Sequence, residues 1–321
     1  MENISTRIPL RLGISGGGTD SYKYCKNNKS VLVSSSINIF VECSITRIKN
    51  AVIIKSIDLD DCIEFPVGKL PINNKLLIIS ATYNYVMEKY NNCNYIACKI
   101  IINSEASYKS GLGASSIIIV SVIKSLLYII EKEINSLQLV EDAYIIERKL
   151  LGFEGGIQDQ LCAVYNGVNC FKLGDATVEI EPIILNKTLK LLSDGLYLIY
   201  TNIDRKFHSG IFSNSSVKTL HEISSLSQKF YEYITKEDTQ NALQVLSEMW
   251  DIKNSTVQDI NIKTIINSFK KDGIKHIKLC GSGGGGYMIV YIENKDIVNT
   301  LQEKYDSLSI RKIELLWNWL Y

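Results

Sequence analysis

The eight cysteines of this 321-residue sequence contain no C-x-x-C pair, and its three histidines, at 208, 221 and 276, are scattered. That excludes the ligand spacing of a metal centre built from Cys and His. The cysteines, at 25, 43, 62, 93, 98, 162, 170 and 280, are expected to be reduced thiols packed in the core as small hydrophobes. Net charge is almost absent: 35 basic against 34 acidic residues leave +1, and no overall field to draw in nucleic acid or an anionic membrane. The longest apolar stretch, 115–130, is interrupted by Lys124 and is short for a bilayer span. The opening M-E-N-I-S-T-R-I-P has no charged segment leading into an apolar run, so a cytoplasmic protein is expected. There is no internal repeat and no linker rich in Pro or Ser. What is present, 46% hydrophobic and 21% charged residues, describes a globular protein with a real core and room for two domains.

Hydrophobic periodicity predicts strands at 8–14, 31–46, 52–56, 62–65 and 95–103, with a helix at 76–89 between the last two. Helices follow from 114 to about 127 and at 137–151, the second broken by Gly152, Gly155 and Gly156. A short helix at 158–164 precedes strands at 168–173, 177–184 and 196–201, then helices at 211–234, 240–253 and 262–271. The end reads as strand 276–279, a glycine run at 281–286, strand 287–292, helix 295–305 and strand 310–315. A domain boundary is expected near 170, giving domains 1–170 and 171–321.

The segment S-Y-K-S-G-L-G-A-S-S, 107–116, sets a glycine-rich turn between an apolar strand and a long apolar helix. Gly111 and Gly113 let the backbone approach a ligand, and the next helix points its free N–H groups at that place, where an anion is stabilised. Ser115 and Ser116 add hydroxyls able to cap the helix, touch a phosphate or face magnesium. An ordinary loop with an N-cap fits the same residues. No Lys separates the second glycine from the serines, so this is not G-x-x-x-x-G-K-[ST], and the spacing of a dinucleotide fingerprint is absent too.

Three further segments strengthen the phosphate reading. P-L-R-L-G-I-S-G-G-G-T-D, 9–20, ends a strand in glycines followed by Thr and Asp, a place for a carboxylate that accepts hydrogen bonds from sugar hydroxyls. G-G-I-Q-D-Q, 155–160, follows Glu147 in the preceding helix, and G-S-G-G-G-G, 281–286, lies between two apolar strands. With these motifs in this order, the chain resembles the GHMP small-molecule kinases over nearly its whole length. Within that superfamily the G-G-G-T-D and G-G-I-Q-D-Q forms look most like bacterial kinases of D-glycero-D-manno-heptose 7-phosphate, and L-fucokinase-type enzymes look similar as well.

The resemblance implies an α+β, two-domain GHMP kinase fold: an N-terminal ribosomal-protein-S5-like domain with the phosphate loop, and a C-terminal ferredoxin-like domain with the third glycine motif. It implies ATP and Mg2+, with Gly111, Leu112, Gly113, Ala114, Ser115 and Ser116 around the phosphates. Glu147 and one serine, assigned as Ser116, would hold the metal. Asp159 matches the family's catalytic carboxylate and Arg11 its basic residue near the transferred phosphate. The acceptor would meet Gly16, Gly17, Gly18, Thr19 and Asp20, together with Gly156, Gln158, Lys278, Gly283 and Gly284. Arg205, with Lys206 and His208, is the candidate for a distal phosphate pocket. Taken singly, each has a plainer reading: Glu147 as a solvated helix residue beside Arg148, Asp159 as a first-turn helix carboxylate, Arg11 as a partner of any acid, Asp20 as an N-cap. The function implied is phosphorylation of the anomeric hydroxyl of the heptose 7-phosphate. A kinase of fucose or another hexose is the alternative, followed by a catalytically silent sugar sensor. Expected partners are ATP and a sugar phosphate, with no nucleic acid or membrane, and a homodimer is one assembly open to the chain.

Overall fold

The computed structural model, which describes residues 3–106, 110–174, 177–203, 215–281 and 284–317, builds the chain around two sheets. The first takes β1 (Asn3–Ser15), β2 (Ser30–Arg47), β3 (Ala51–Ser56), β4 (Asp61–Pro66), β5 (Cys98–Ser104), β6 (Val168–Gly174) and β7 (Thr177–Pro182). β2 is its axis. β1 pairs along one edge, while β6 and β5 take successive stretches of the other, at 30–35 and 41–47. Between and beside these strands lie α1 (Tyr22–Cys25), α2 (Leu77–Tyr90), α3 (Ala114–Ile129), α4 (Ser136–Tyr144) and α5 (Gln158–Val164). α3 is apolar on most of its circumference because it is packed there: Ile117, Ile119, Val120, Val122 and Ile123 are fully enclosed, and only a strip with Lys124 and Tyr128 faces solvent. Its contacts with β1, β2, α2, α4 and α5 make it the pillar on which the phosphate loop stands.

After α6 (Lys187–Gly195), the second sheet begins with β8 (Leu196–Tyr200). α7 (Val217–Thr235), α8 (Thr239–Ser255) and α9 (Ile260–Lys271) lead to β9 (His276–Leu279), then β10 (Tyr287–Tyr291), α10 (Ile297–Lys304) and β11 (Ile310–Lys312). The strands order as β11-β8-β10-β9, all antiparallel, with helical crossovers before β9 and before β11. That β-α-β-β-α-β order is the ferredoxin-like arrangement. The chain then returns as β12 (Leu315–Leu316), pairing with Ile37 and Ser36 of β2.

The structure corrects several expectations. Residue 170 lies inside β6, and β7 extends the first sheet to Pro182, so the change of sheet comes after both strands. The helix expected at 137–151 is α-helical only to Tyr144; Ile145–Leu150 is a π-helical turn, the wider winding that often marks a functional position. The strand expected from 95 starts at Cys98, and α1 and α6 were not foreseen. α6 has a clear local signal, since Asn186 caps it by accepting from Leu189 N. Five cysteines are buried as expected, but Cys62 and Cys93 are exposed and Cys25 is half-buried. No described helix is long and apolar enough to cross a membrane.

Candidate active site

One cleft of about 670 Å³ gathers most of the residues singled out by sequence, a size suited to small-molecule ligands. β1 brings Arg11 to it. The pairing of β1 with β2 shifts register between Pro9 and Arg11, and such bulges re-aim a side chain beside a site. Arg11 is 6% exposed and donates from Nε to Asp159 Oδ1 at 2.7 Å and from Nη1 to the Gly111 carbonyl at 3.2 Å. One guanidinium thus joins β1, the phosphate loop and the first turn of α5. Burial opposes its charge, but Asp159 and its other neighbours more than offset this, and its pKa is raised.

The phosphate loop enters α3 through Gly113, which sits at φ 77° as N-cap with no side chain capping the helix. Its first N–H groups therefore face the cleft as an anion site. The two serines do not cap: Ser115 Oγ donates to Glu147 Oε1 at 2.5 Å, and Ser116 Oγ donates to Glu147 Oε2. Gln160 Nε2 adds a bond to Oε2 at 2.6 Å, and Arg148 Nη1 lies 3.3 Å from Oε1. The π-helical turn thus points Glu147, 2% exposed, at the phosphate loop instead of into solvent. Both serines bond Glu147; Ser115 lines the cleft, while Ser116, the serine assigned to magnesium, is fully buried behind it, so the structure favours Ser115 as the hydroxyl nearer a bound ion. Ser115 Oγ and Glu147 Oε1 offer hard oxygen donors in one place, a fit to magnesium, which takes one or two protein oxygens and completes its shell with phosphate and water. No group of three His, Cys, Asp or Glu gathers among the described residues.

The third glycine motif closes on the loop from the second half of the chain. A Cβ on Gly111 would stand 2.9 Å from the Cys280 carbonyl, and Tyr287 N donates to Ser110 O at 3.1 Å. Only glycine at 111, at φ 81°, permits that approach.

At the 16–20 turn, Asp20 accepts from Gly18 N at 3.1 Å and from Gln158 N at 3.0 Å, which satisfies the start of α5 from outside the helix. A Cβ on Gly156 would lie 2.0 Å from Asp20 Oδ2, so glycine is required for this fit. Gly17, Gly18, Asp20, Gly156 and Gln158 line the cleft. Gly16 and Thr19 do not: Gly16 packs on the Val31 carbonyl, and the enclosed Thr19 hydroxyl bonds Gly16 O at 2.8 Å and Ser30. These two shape the turn. Leu112 is buried behind the loop and Gly284 is not among the cleft residues. Arg205, Lys206, His208 and Gly283 lie outside the described residues.

Lys278 lies in the cleft wall with its Nζ donating to the Gly13 carbonyl. Burial lowers its pKa from the usual 10.5 to about 8, with Arg11 adding to the fall. Beside it is Lys253, which sequence reasoning missed, 9% exposed and lowered well below its usual value by burial and then by Lys278. Its signal was present: it continues the buried stripe Leu246, Met249, Trp250 of α8, and a cation on an apolar stripe marks a site. Arg148 was also missed as a site residue, although it neighbours both Glu147 and, at 4.0 Å, Asp159.

Comparison with known proteins agrees with this geometry. Residues 77–167 match the family described as GHMP kinases N terminal domain. The chain is 27% identical over 307 residues to D-glycero-alpha-D-manno-heptose 7-phosphate kinase of Campylobacter jejuni, covering 91% of this chain and 90% of that one. A crystal structure of a protein described as a sugar kinase, also from Campylobacter jejuni, matches with TM-score 0.81 at 25% identity, over 98% of this chain and 96% of the other. A D-glycero-D-manno-heptose 1-phosphate kinase from Bacteroides thetaiotaomicron has the same fold, with TM-score 0.81 at 21% identity over 99% and 97% of the two chains. Residues 77–167 thus match the GHMP kinases N terminal domain, and the chain throughout takes the fold of the sugar kinases it resembles.

Proposed function

We propose that this GHMP-type sugar kinase transfers the γ-phosphoryl group of ATP to the anomeric hydroxyl of D-glycero-D-manno-heptose 7-phosphate, giving the 1,7-bisphosphate. The observation that carries the reading is Asp159, held by Arg11 at 2.7 Å in the cleft that also exposes the uncapped start of α3. The nucleotide's phosphates would rest on the N–H groups of Ala114, Ser115 and Ser116. Magnesium, held by Ser115 and Glu147, would supply positive charge across the β- and γ-phosphates. Asp159 takes the proton of the attacking hydroxyl as the new O–P bond forms and ADP departs, a positioned base worth about 10² to 10⁴ in rate. Arg11 fixes that carboxylate and presents its charge to the phosphoryl oxygens. Asp20, with lone pairs beyond those used by Gly18 and Gln158, accepts hydrogen bonds from acceptor hydroxyls.

The choice of a heptose phosphate is supported by the likeness to the Campylobacter enzyme. Fucose or another hexose is the alternative acceptor. The test is ADP release from Mg-ATP with heptose 7-phosphate, galactose, fucose and mannose. Turnover confined to the heptose phosphate is expected; turnover of a free sugar alone would keep the kinase and replace its substrate.

A further inference from the structure

Two buried lysines face the acceptor side of the cleft, both from the second half of the chain. Lys253 comes from the last turn of α8 and Lys278 from β9, and both line the cavity with Gly17, Asp20 and Gln158. Their position is set by contacts with the segment that follows Arg11. Lys278 Nζ donates to Gly13 O, and a Cβ on Gly17 would lie 3.6 Å from Lys253 Nζ and 3.6 Å from Gln158 Oε1. Arg11 bonds instead to Asp159 and the Gly111 carbonyl of the phosphate loop.

Arg11 thus grips Asp159 and the phosphate loop while the two lysines lie beside Gly13 and Gly17, close enough to Arg11 that its charge helps lower the pKa of both. Burying two ammonium groups side by side is costly, and each opposes the charge of its neighbours, as the lowered pKa of both records. An anion entering the cavity between them offsets that cost. A phosphate monoester, with close to two negative charges near neutral pH and three acceptor oxygens, answers two compact ammonium groups in charge and in hydrogen bonding.

We propose that Lys253 and Lys278 form the subsite for the phosphate monoester carried by the acceptor, and so select a sugar phosphate over the free sugar. This rests on the kinase reading and names the residues that read its substrate's own phosphate.

The test uses Lys253→Met and Lys278→Met, singly and together, in steady-state kinetics with heptose 7-phosphate, and inorganic phosphate as competitor. The expected result is a rise in acceptor KM of about tenfold to a hundredfold per substitution, the worth of one hydrogen bond to a charged group, with the KM for ATP unchanged. Inorganic phosphate should compete with the acceptor in the wild type and lose that competition in the double variant. A fall in kcat with unchanged acceptor KM, or inorganic phosphate competing with ATP instead, would overturn the assignment and move the lysines to the transferred group. Titration calorimetry with inorganic phosphate keeps the two readings separable. Loss of binding in the double variant supports the subsite even if no sugar turns over, and equal binding in both proteins removes it even if the kinase is active. Should the methionine variants not fold, wild-type competition decides: against acceptor supports, against ATP overturns.

Discussion

The two ends of the cleft hold their charges in opposite ways. At the transfer end each carboxylate has its partners in place: Glu147 takes bonds from Ser115, Ser116 and Gln160 and lies beside Arg148, and Asp159 is gripped by Arg11. Around the 16–20 turn two buried lysines outnumber one carboxylate: Lys278 donates to the neutral Gly13 carbonyl, and Asp20, the nearby carboxylate, favours the charged form of Lys253. A site whose charges are already balanced keeps its geometry before any ligand arrives, and that is what positions a base or a metal ligand. A site with an excess of one sign is completed by the ligand, and that is how a pocket discriminates. On the proposed reading, the same cleft separates the work of catalysis from the work of selection.

The comparison breaks most sharply at Asp159. Asp159→Asn keeps the shape and removes the base, so turnover should fall by about 10² to 10⁴ while the KM for ATP stays near its wild-type value. Unchanged turnover would take Asp159 out of the mechanism. Glu147→Gln should raise the magnesium concentration needed for half-maximal rate by about tenfold or more, by analogy with other losses around a bound metal. A magnesium titration that overlays the wild type would remove Glu147 from the metal site. Gly156→Ala tests the acceptor end sterically. The new methyl must displace the Asp20 carboxyl, 2.0 Å away, at a cost of about 1–3 kcal/mol in denaturant unfolding, with a raised acceptor KM. An alanine variant of wild-type stability and KM would show that Asp20 moves aside at no cost.

The sequence made the transfer end more legible than the acceptor end, for physical reasons. Gly111, Gly113 and Asp159 lie in local patterns set by backbone demands: a left-handed turn, a close approach, a helix start. Such demands restrict residue type within a few positions, so they show in a linear text. Which serine faces the cleft depends on how α3 is rotated against the π-helical turn carrying Glu147, a tertiary fact that spacing does not reveal. Thr19 and Gly16 belonged to the right motif but serve its turn, because the second side of the motif packs on β2. Lys253 was hardest to find, since it reaches the cleft only when α8 packs against β9 and brings its apolar stripe to the core. β6 and β7 were read correctly as strands, yet their membership of the first sheet needed the pairing with β2, which joins segments more than a hundred residues apart.

The smallest expected effect concerns proton linkage at Lys278. Burial brings its pKa from 10.5 to about 8 in the folded protein, so between those values the unfolded chain holds a proton that the folded chain has released. Stability therefore rises with pH across that window, because the unfolded state binds more protons there. Below about 8 both states are protonated and the folded protein carries the full burial cost of the charge. Lys278→Met lacks this titration. Its melting temperature should exceed the wild-type value most below about pH 8, and the gap should narrow as pH climbs toward 10.5. Inorganic phosphate, by stabilising the charged form, should flatten the wild-type rise and leave the variant unmoved. Parallel melting profiles for the two proteins across this range would mean that Lys278 keeps its proton when buried. The acceptor end would then be as well balanced as the transfer end, and the contrast between them would fail at the residue on which it chiefly rests.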